Sequence, residues 1–457
     1  MNPPRQVVVI GAGISGLTCA LRLKELGVAV RVLEAAENPG GVISTIRHDG
    51  FLFESGPQSF QLTPELRELI RAAGLESKIL EAEMHTPRYI LRNGKLLLAP
   101  MSPPALVTTS LLSVSSKMRV FSEPFRRSQP APAPDESLAD FVRRKFGTEI
   151  LEYLAGPFVS GVFAGDPEKL SVRSAFPTMA LWESEYGSVI RGAIKSRSGS
   201  EHVRPTLASL KEGMSSLLQA LAAKLSDALN TRAAANSISR AAAEAFPWRI
   251  SYSHAGQQSE IQVDAIVLAA PAYEAAKLVV PFAPAPLITA LSGIPYAPVA
   301  VVAQAYRREH VGHPLDGFGF LIPRSSNLRT LGVIWNSSLF PARCPPGMVL
   351  LTSFLGGATD PELVQMDEMQ IAAQVRNDIG GILRIAHPPA AQHVWRHTRA
   401  LPQYNLGHAQ RVALIRNELA NLPGIFIAGN YLDGPSMGNC VAQAFATAKS
   451  VHEFLSV

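Results

Sequence analysis

The sequence predicts an α/β fold in which both ends of the chain build one doubly wound sheet and other material is inserted between them. Three observations carry this. Residues 7–27, "VVVIGAGISGLTCALRLKELG", run from an apolar strand through a glycine turn into a helix. The C-terminal stretch "GIFIAGNYLDGPSMGNCVAQAFATAKSVHEFL" repeats that order of strand, glycine turn and helix. Between them, from about residue 247, the pattern turns to short strands bounded by turn residues.

In chain order, a strand at 6–10, a helix from about 14 to 26 and a strand at 28–34 make a βαβ opening. A helix is expected at 63–73, where Thr63 caps and Pro64 takes the first helical position. "RYILRNGKLLLAP" reads as a hairpin turning at Asn93-Gly94. Residues 101–134 mix serines, prolines and apolar clusters and end in "QPAPAP", a loop or linker composition. Helices are expected at 137–146, 148–155 and 206–224. Strands follow at 247–253, 260–269, 297–306, 317–322, 329–335 and 347–354, with a helix at 367–383. No internal repeat is present.

Bulk composition narrows the function. Charged residues make up 17% of the 457, below the roughly 25% of typical soluble domains, which favours a large interior, an apolar cavity or a membrane-facing surface. The net charge of +5 is too small to argue for nucleic acid, and no nucleic-acid module is recognisable. Cys19, Cys344 and Cys440 are odd in number and far apart, which predicts neither a disulfide framework nor a metal site, and the histidines show no ligand spacing. The opening "MNPPRQ" leaves no room for a signal peptide, and no run of about 18 apolar residues predicts a membrane span, so a cytoplasmic or leaflet-bound chain is expected, not a secreted one.

Gly11, Gly13 and Gly16 form G-x-G-x-x-G between strand and helix. The first permits a tight turn, the second lets a pyrophosphate approach the backbone, and the third lets helix pack on strand. The helix N-terminus offers free N–H groups to the phosphates. Glu34 closes the second strand where an acid accepts hydrogen bonds from ribose hydroxyls, which disfavours a 2′-phosphorylated ligand. A second glycine pair, Gly40-Gly41, follows six residues on. The stretch "EAAENPGGVISTIRHDGFLFESGPQS" resembles the flavin-containing amine oxidase superfamily, in which that pair approaches the FAD pyrophosphate and flavin. No second dinucleotide motif appears, so the reduced flavin passes its electrons elsewhere, most simply to O₂.

Within that superfamily the chain resembles the protoporphyrinogen oxidase family nearly end to end. The matching blocks are "GPQSF", "PRYILRNGKLLLAP", "PFVSGVFAGDPEKLS", "LKEGMSSL", "GFGFLIP", "TLGVIWNSSLFP", "LPQYNLGH" and "IFIAGNYLDGPSMGNCV". The resemblance implies a Rossmann-like FAD-binding domain (1–83, 205–275 and 400–457), an inserted mixed-sheet substrate domain (84–100 and 276–399) and a helical membrane-binding insertion (101–204). It implies non-covalent FAD contacts along Gly11, Ala12, Gly13, Ile14, Ser15 and Gly16, at Glu34 and Ala35, and at Gly40, Gly41 and Val42. Further contacts are implied at Gly56, Pro57, Gln58 and Ser59, at Ala235, and at Gly429, Asn430, Pro435, Ser436 and Met437. Two positions depart from the usual pattern: Ala235 stands where the family usually has Val, and Val42 where amine oxidases commonly have Arg.

The implied reaction is the oxidation of protoporphyrinogen IX to protoporphyrin IX in three two-electron steps, with O₂ as acceptor and H₂O₂ as by-product. Leu321, Ile334 and Phe354 would sandwich the pyrrole rings, Arg88 would pair with a propionate, and Gly161 would bring backbone close to the ring. From the pattern alone the three apolar residues read as plain core. The flavin does the chemistry, so no side chain is assigned as general base. His397 and His408 read as structural.

Residues 84–134 hold the basic residues Arg88, Arg92, Lys95, Lys117, Arg119, Arg126 and Arg127 against the single acid Glu123, interleaved with apolar side chains. This composition suits an interfacial segment on anionic lipid, and the family has a membrane-binding insertion in this region. Implied partners are the porphyrinogen, O₂, the inner face of the cell membrane, ferrochelatase and a second copy of the chain. The nearest rival substrate is coproporphyrinogen III, which would want more cations around the slot. An amine oxidase would want a paired aromatic cage, and "GNYLDGPSMGN" offers one Tyr. A flavin-bound assembly protein without turnover is a third class.

Overall fold

The computed structural model describes residues 5–83, 86–126, 135–197, 206–241 and 247–456. Its centre is a five-stranded parallel sheet in the order Leu229–Asn230, Ala29–Leu33, Gln6–Ile10, Ala265–Leu268, Ile425–Ile427. The run Val7 to Ile10 is apolar at every position because both faces are covered. Val7 and Val9 face the helices Ile14–Glu25, Ser215–Lys224 and Met437–Leu455. Val8 and Ile10 face the helices Ala272–Val279 and Ala285–Ser292 and an antiparallel sheet of Ala233–Arg240, Trp248–His254 and Gln257–Val263. Full burial of each such valine is worth roughly 1.5–3 kcal/mol.

A seven-stranded mixed sheet follows the order Ala391–Pro402, Tyr296–Arg307, Met348–Gly356, Thr330–Trp335, Gly319–Leu321, Arg88–Arg92, Lys95–Leu98. The last two form the expected hairpin, with Asn93 and Gly94 both at positive φ, 51° and 73°. Its strand Arg88–Arg92 joins the sheet parallel to Gly319–Leu321. One face of this sheet is covered by the helix Glu368–Leu383, whose Asp367–Gln370 capping box fixes its start.

Between Pro103 and Arg197 the described residues form a series of helices joined by turns, packed around Leu111, Leu112, Phe141, Val142, Val159 and Phe163. Buried charges tie these helices together: Arg144 bonds Glu136 and Glu183, Lys145 pairs with Glu183, and Glu123 accepts from the Val189 amide. On their outside Val107, Val114, Met118, Phe125, Leu181 and Ile194 are exposed. Arg127 and "QPAPAP" lie outside the described residues. Among the described residues no helix is long and apolar enough to cross a membrane.

Three expectations need correction. Residues 206–224 are not one helix: Leu207–Leu210 is a strand between Phe60–Gln61 and Ile79–Glu81, and the helix begins at Ser215. Strand pairing wins over helix propensity at the start, and Gly213, at φ 90°, turns the chain. The apolar stretch 260–269 is two strands in different sheets, Gln257–Val263 and Ala265–Leu268. Residues 148–155 are α-helical only to Ile150 and then widen into a π-type turn at Leu151–Ala155.

Candidate active site

The N-terminal glycines divide by what a side chain would meet. A Cβ on Gly16 would lie 1.9 Å from the Gly11 carbonyl oxygen, and one on Gly11 would lie 2.8 Å from that of Ala269, so packing alone demands both. A Cβ on Gly13 meets nothing within 4 Å. Gly13 is the N-cap of the Ile14–Glu25 helix, which has no side-chain cap and no acid in its first turn. The space above Gly13 is therefore open and lined by uncapped N–H donors, the environment a pyrophosphate needs. Gly41, at φ 63°, closes the other side: a Cβ there would sit 3.8 Å from the Gly13 Cα. The Gly40 amide bonds to the Ala12 carbonyl at 2.9 Å.

Glu34 emerges partly exposed beside this turn. One carboxylate oxygen accepts from the Ala12 amide at 2.6 Å and the other from the Ala36 amide at 2.8 Å, so the acid also pins the glycine loop. The Ala233 amide bonds to the Glu34 carbonyl, which brings the strand carrying Ala235 alongside, and Ala235 sits at a bulge in it. From the C-terminal end, Ser436 caps the Met437–Leu455 helix. Tyr404 Oη donates to the Asn430 carbonyl and accepts from the Gly434 amide at 2.8 Å.

The profile of the flavin-containing amine oxidoreductase family matches residues 14–452. The chain belongs to that family. Chloroplastic protoporphyrinogen oxidase of Nicotiana tabacum is 35% identical over 98% of this chain and 86% of its own. Coproporphyrinogen III oxidase of Bacillus subtilis is 28% identical over 99% of this chain and 98% of its own. The crystal structure of a candidate protoporphyrinogen oxidase from Exiguobacterium sp. 255-15 superposes with a TM-score of 0.83, covering 99% of this chain and 100% of that one at 25% identity. The cofactor of this flavin-containing amine oxidoreductase is FAD, and the open space over Gly13, at the uncapped helix N-terminus, fits its pyrophosphate.

The mixed sheet supplies an apolar wall. Strand register aligns Leu321 with Gly332 and Phe354, and further along it aligns Arg88 with Gly319, Ile334 and Thr352. Paired residues share a face, so Arg88, Leu321, Ile334 and Phe354 all lie on one side, opposite the Glu368–Leu383 helix. In otherwise buried strands, Leu321, Ile334 and Phe354 remain partly exposed. Gly161, in the helix Gly156–Phe163, sits over this wall, where a Cβ would come within 2.6 Å of Leu321 Cδ2.

Arg88 has its guanidinium 5.0 Å from the Phe318 ring centroid and no ion-pair partner among the described residues. Burial lowers its pKa, but a guanidinium stays charged. Its neighbour Arg92 is committed elsewhere, paired with Glu149 at 2.9 Å and lying over Tyr153.

Gln58, expected at the cofactor, spends its side chain within the protein. Its amide group donates to the Glu54 and Gly56 carbonyls at 3.2 and 2.9 Å and accepts from Asn336 at 2.7 Å. The groups around it carry no sequence motif. Glu54 and Arg343 form an ion pair at 2.9 Å with side chains 2% and 3% exposed. Burial raises the Glu54 pKa and lowers that of Arg343, and their contact opposes both shifts. His397 contacts the Ser55 carbonyl at 2.9 Å, and His408 stacks on Tyr404, both in structural roles. Burial takes the His408 pKa down to about 4. Among the described residues no group of three potential ligands could hold a metal.

Proposed function

We propose that this enzyme oxidises protoporphyrinogen IX to protoporphyrin IX. The carrying observation is the single sheet face on which Leu321, Ile334 and Phe354 stay partly open beside an arginine without an ion-pair partner among the described residues. A porphyrinogen is broad and apolar across its rings and carries carboxylates at its edge, and this face matches both features. FAD, when bound, supplies a two-electron acceptor. The protein's own part is to hold and dry the macrocycle. Leu321, Ile334 and Phe354 bury the rings, Gly161 keeps the helix backbone close above them, and Arg88 holds a propionate. Six hydrogens leave the substrate in three pairs, and three O₂ become three H₂O₂. No side chain described on this face is positioned as a base, so pyrrole protons pass to water.

A wider architecture is proposed with it. The parallel sheet and its flanking elements form the FAD-binding domain, the mixed sheet the substrate domain, and residues 101–204 a monotopic anchor on the inner face of the cell membrane. The exposed Met118, Phe125, Leu181 and Ile194 support that anchor. Glu34, Ala235 and the 429–437 segment are assigned to FAD; ferrochelatase is the expected recipient of the product, and a homodimer the expected assembly.

Coproporphyrinogen III is the second reading, favoured by the Bacillus subtilis relative. It is set back by the scarcity of unpaired cations beside Arg88, since Arg92 is already paired. The test follows porphyrin fluorescence under air with each porphyrinogen in parallel. Protoporphyrinogen turnover tenfold faster or more supports the proposal, the reverse preference selects the second reading, and no fluorescence from either refutes both.

A further inference from the structure

The segment Glu54–Ser59 runs between the two halves of the site. On one side it lies against the cofactor cradle: a Cβ on Gly56 would be 2.5 Å from the carbonyl of Val42, next to Gly40-Gly41. On the other side it is held by a buried polar network rooted in the mixed sheet. Because the Gln58 amide donates to two backbone carbonyls, its Oε1 is fixed as an acceptor. That oxygen receives Asn336 Nδ2 at 2.7 Å and Thr352 Oγ1 at 3.3 Å, and Thr352 stands opposite Ile334 in the wall. Arg343 reaches the same segment twice. It pairs with Glu54 directly, and it bonds Ser209 Oγ, which in turn donates to the Gln58 carbonyl at 3.2 Å. The Glu54 carboxylate also accepts from Thr45 at 2.6 Å and from the Met214 amide at 2.9 Å.

We infer that Arg343, Glu54, Asn336 and Thr352 are positioning residues, which act through Gln58 to fix the cofactor-side turn at a set distance from the substrate wall. The inference rests on the proposed function for its substrate but not for its geometry. A buried ion pair is a poor device for stability alone, since well-packed apolar residues serve as well or better, whereas losing one partner is severe. What the pair does provide is direction, because each charge makes bonds only along its lone pairs or N–H vectors and so fixes the strands that supply them.

The test uses full-length holoenzyme with Arg343→Met, the double variant Glu54→Gln with Arg343→Met, and the milder Thr352→Val. Three quantities are measured: melting temperature, visible circular dichroism of the bound flavin, and kcat and KM with protoporphyrinogen IX. The single charge deletion is expected to lower the melting temperature, and the double variant to regain most of it. In both, the flavin dichroism should stay displaced and kcat should fall tenfold or more, with KM within threefold of wild type. Thr352→Val should shift kcat two- to fivefold the same way without a change in melting temperature. A double variant that regains wild-type dichroism and kcat along with its stability would reduce the network to a structural role. So would a Thr352→Val enzyme identical to wild type, and that outcome is decisive even where the double variant fails to fold. The dichroism needs no porphyrinogen, so a wild type inactive on that substrate refutes the proposed function and leaves the network readable.

Discussion

Replacing Gly13 by alanine separates what the glycine turn does for the fold from what it does for the cofactor. Gly13 has φ −72° and ψ −178°, a conformation alanine adopts freely, and its Cβ would touch no protein atom within 4 Å. Losing a favourable N-cap residue costs up to about 1 kcal/mol, and stiffening the unfolded chain returns roughly 0.4–1 kcal/mol, so the apoprotein should melt near the wild-type temperature. The methyl group instead projects into the open space over Gly13, where the pyrophosphate must touch the helix N-terminus. Losing two charge-assisted hydrogen bonds of roughly 1.5 kcal/mol each raises the dissociation constant for FAD by about a hundredfold. Gly16→Ala is the control, because its Cβ would lie 1.9 Å from the Gly11 oxygen and the apoprotein itself should fail. Thermal melts of the apoprotein and flavin-fluorescence titration read the two effects separately. A Gly13→Ala protein that binds FAD within threefold of wild type would refute the placement of the pyrophosphate.

Other expectations follow from the same structure. Arg88→Ala should raise KM for the porphyrinogen about ten- to a hundredfold, the loss of one charge-assisted contact of roughly 1.5–3 kcal/mol, while flavin absorbance stays unchanged. Arg88→Lys should recover only part of it. Burial raises the Glu149 pKa, but bonds from Ser113 and Ser116 and the Arg92 contact outweigh that and hold it at about 2. Because the folded value lies below the unfolded one, its contribution, on the order of 3 kcal/mol, is present above about pH 4.5 and lost as pH falls toward 2. Acid-unfolding curves should show Glu149→Gln without that loss. The double substitution Met118→Ser with Phe125→Ser removes two exposed apolar side chains and should cut binding to anionic vesicles tenfold or more in a flotation assay, leaving the melting temperature unchanged.

Local signals in the sequence proved readable where chemistry is dictated over a few residues. The glycine spacing, the Asn93-Gly94 hairpin and the Thr63-Pro64 helix start each rest on a local demand, for close approach, a positive φ or a helix cap, that few residue types meet. The long strand Ala391–Pro402 escapes a pattern reading because, at a sheet edge, it carries Arg396, Arg399 and two histidines without clean alternation. The wall is ambiguous for a different reason. Leu321, Ile334 and Phe354 sit in apolar runs, and only the register across three strands shows that they share an open face. The Glu54–Arg343 pair is beyond reach, because a charged residue in a sequence reads as surface unless its partner, 289 residues away, is known to be beside it.

The stretch from Gln403 to Gly407 has a consequence for how force moves through the molecule. Gln403 donates to the Phe163 carbonyl, the Ser171 amide bonds to the Tyr404 carbonyl, the Leu406 amide reaches Lys169, and the Gly407 amide reaches Asp135. The same Tyr404 clasps Asn430 and Gly434 beside the C-terminal helix. These consecutive residues thus act as an axle between the helical segment and the cofactor sheet. A torque on the helices must either turn both together or break these bonds.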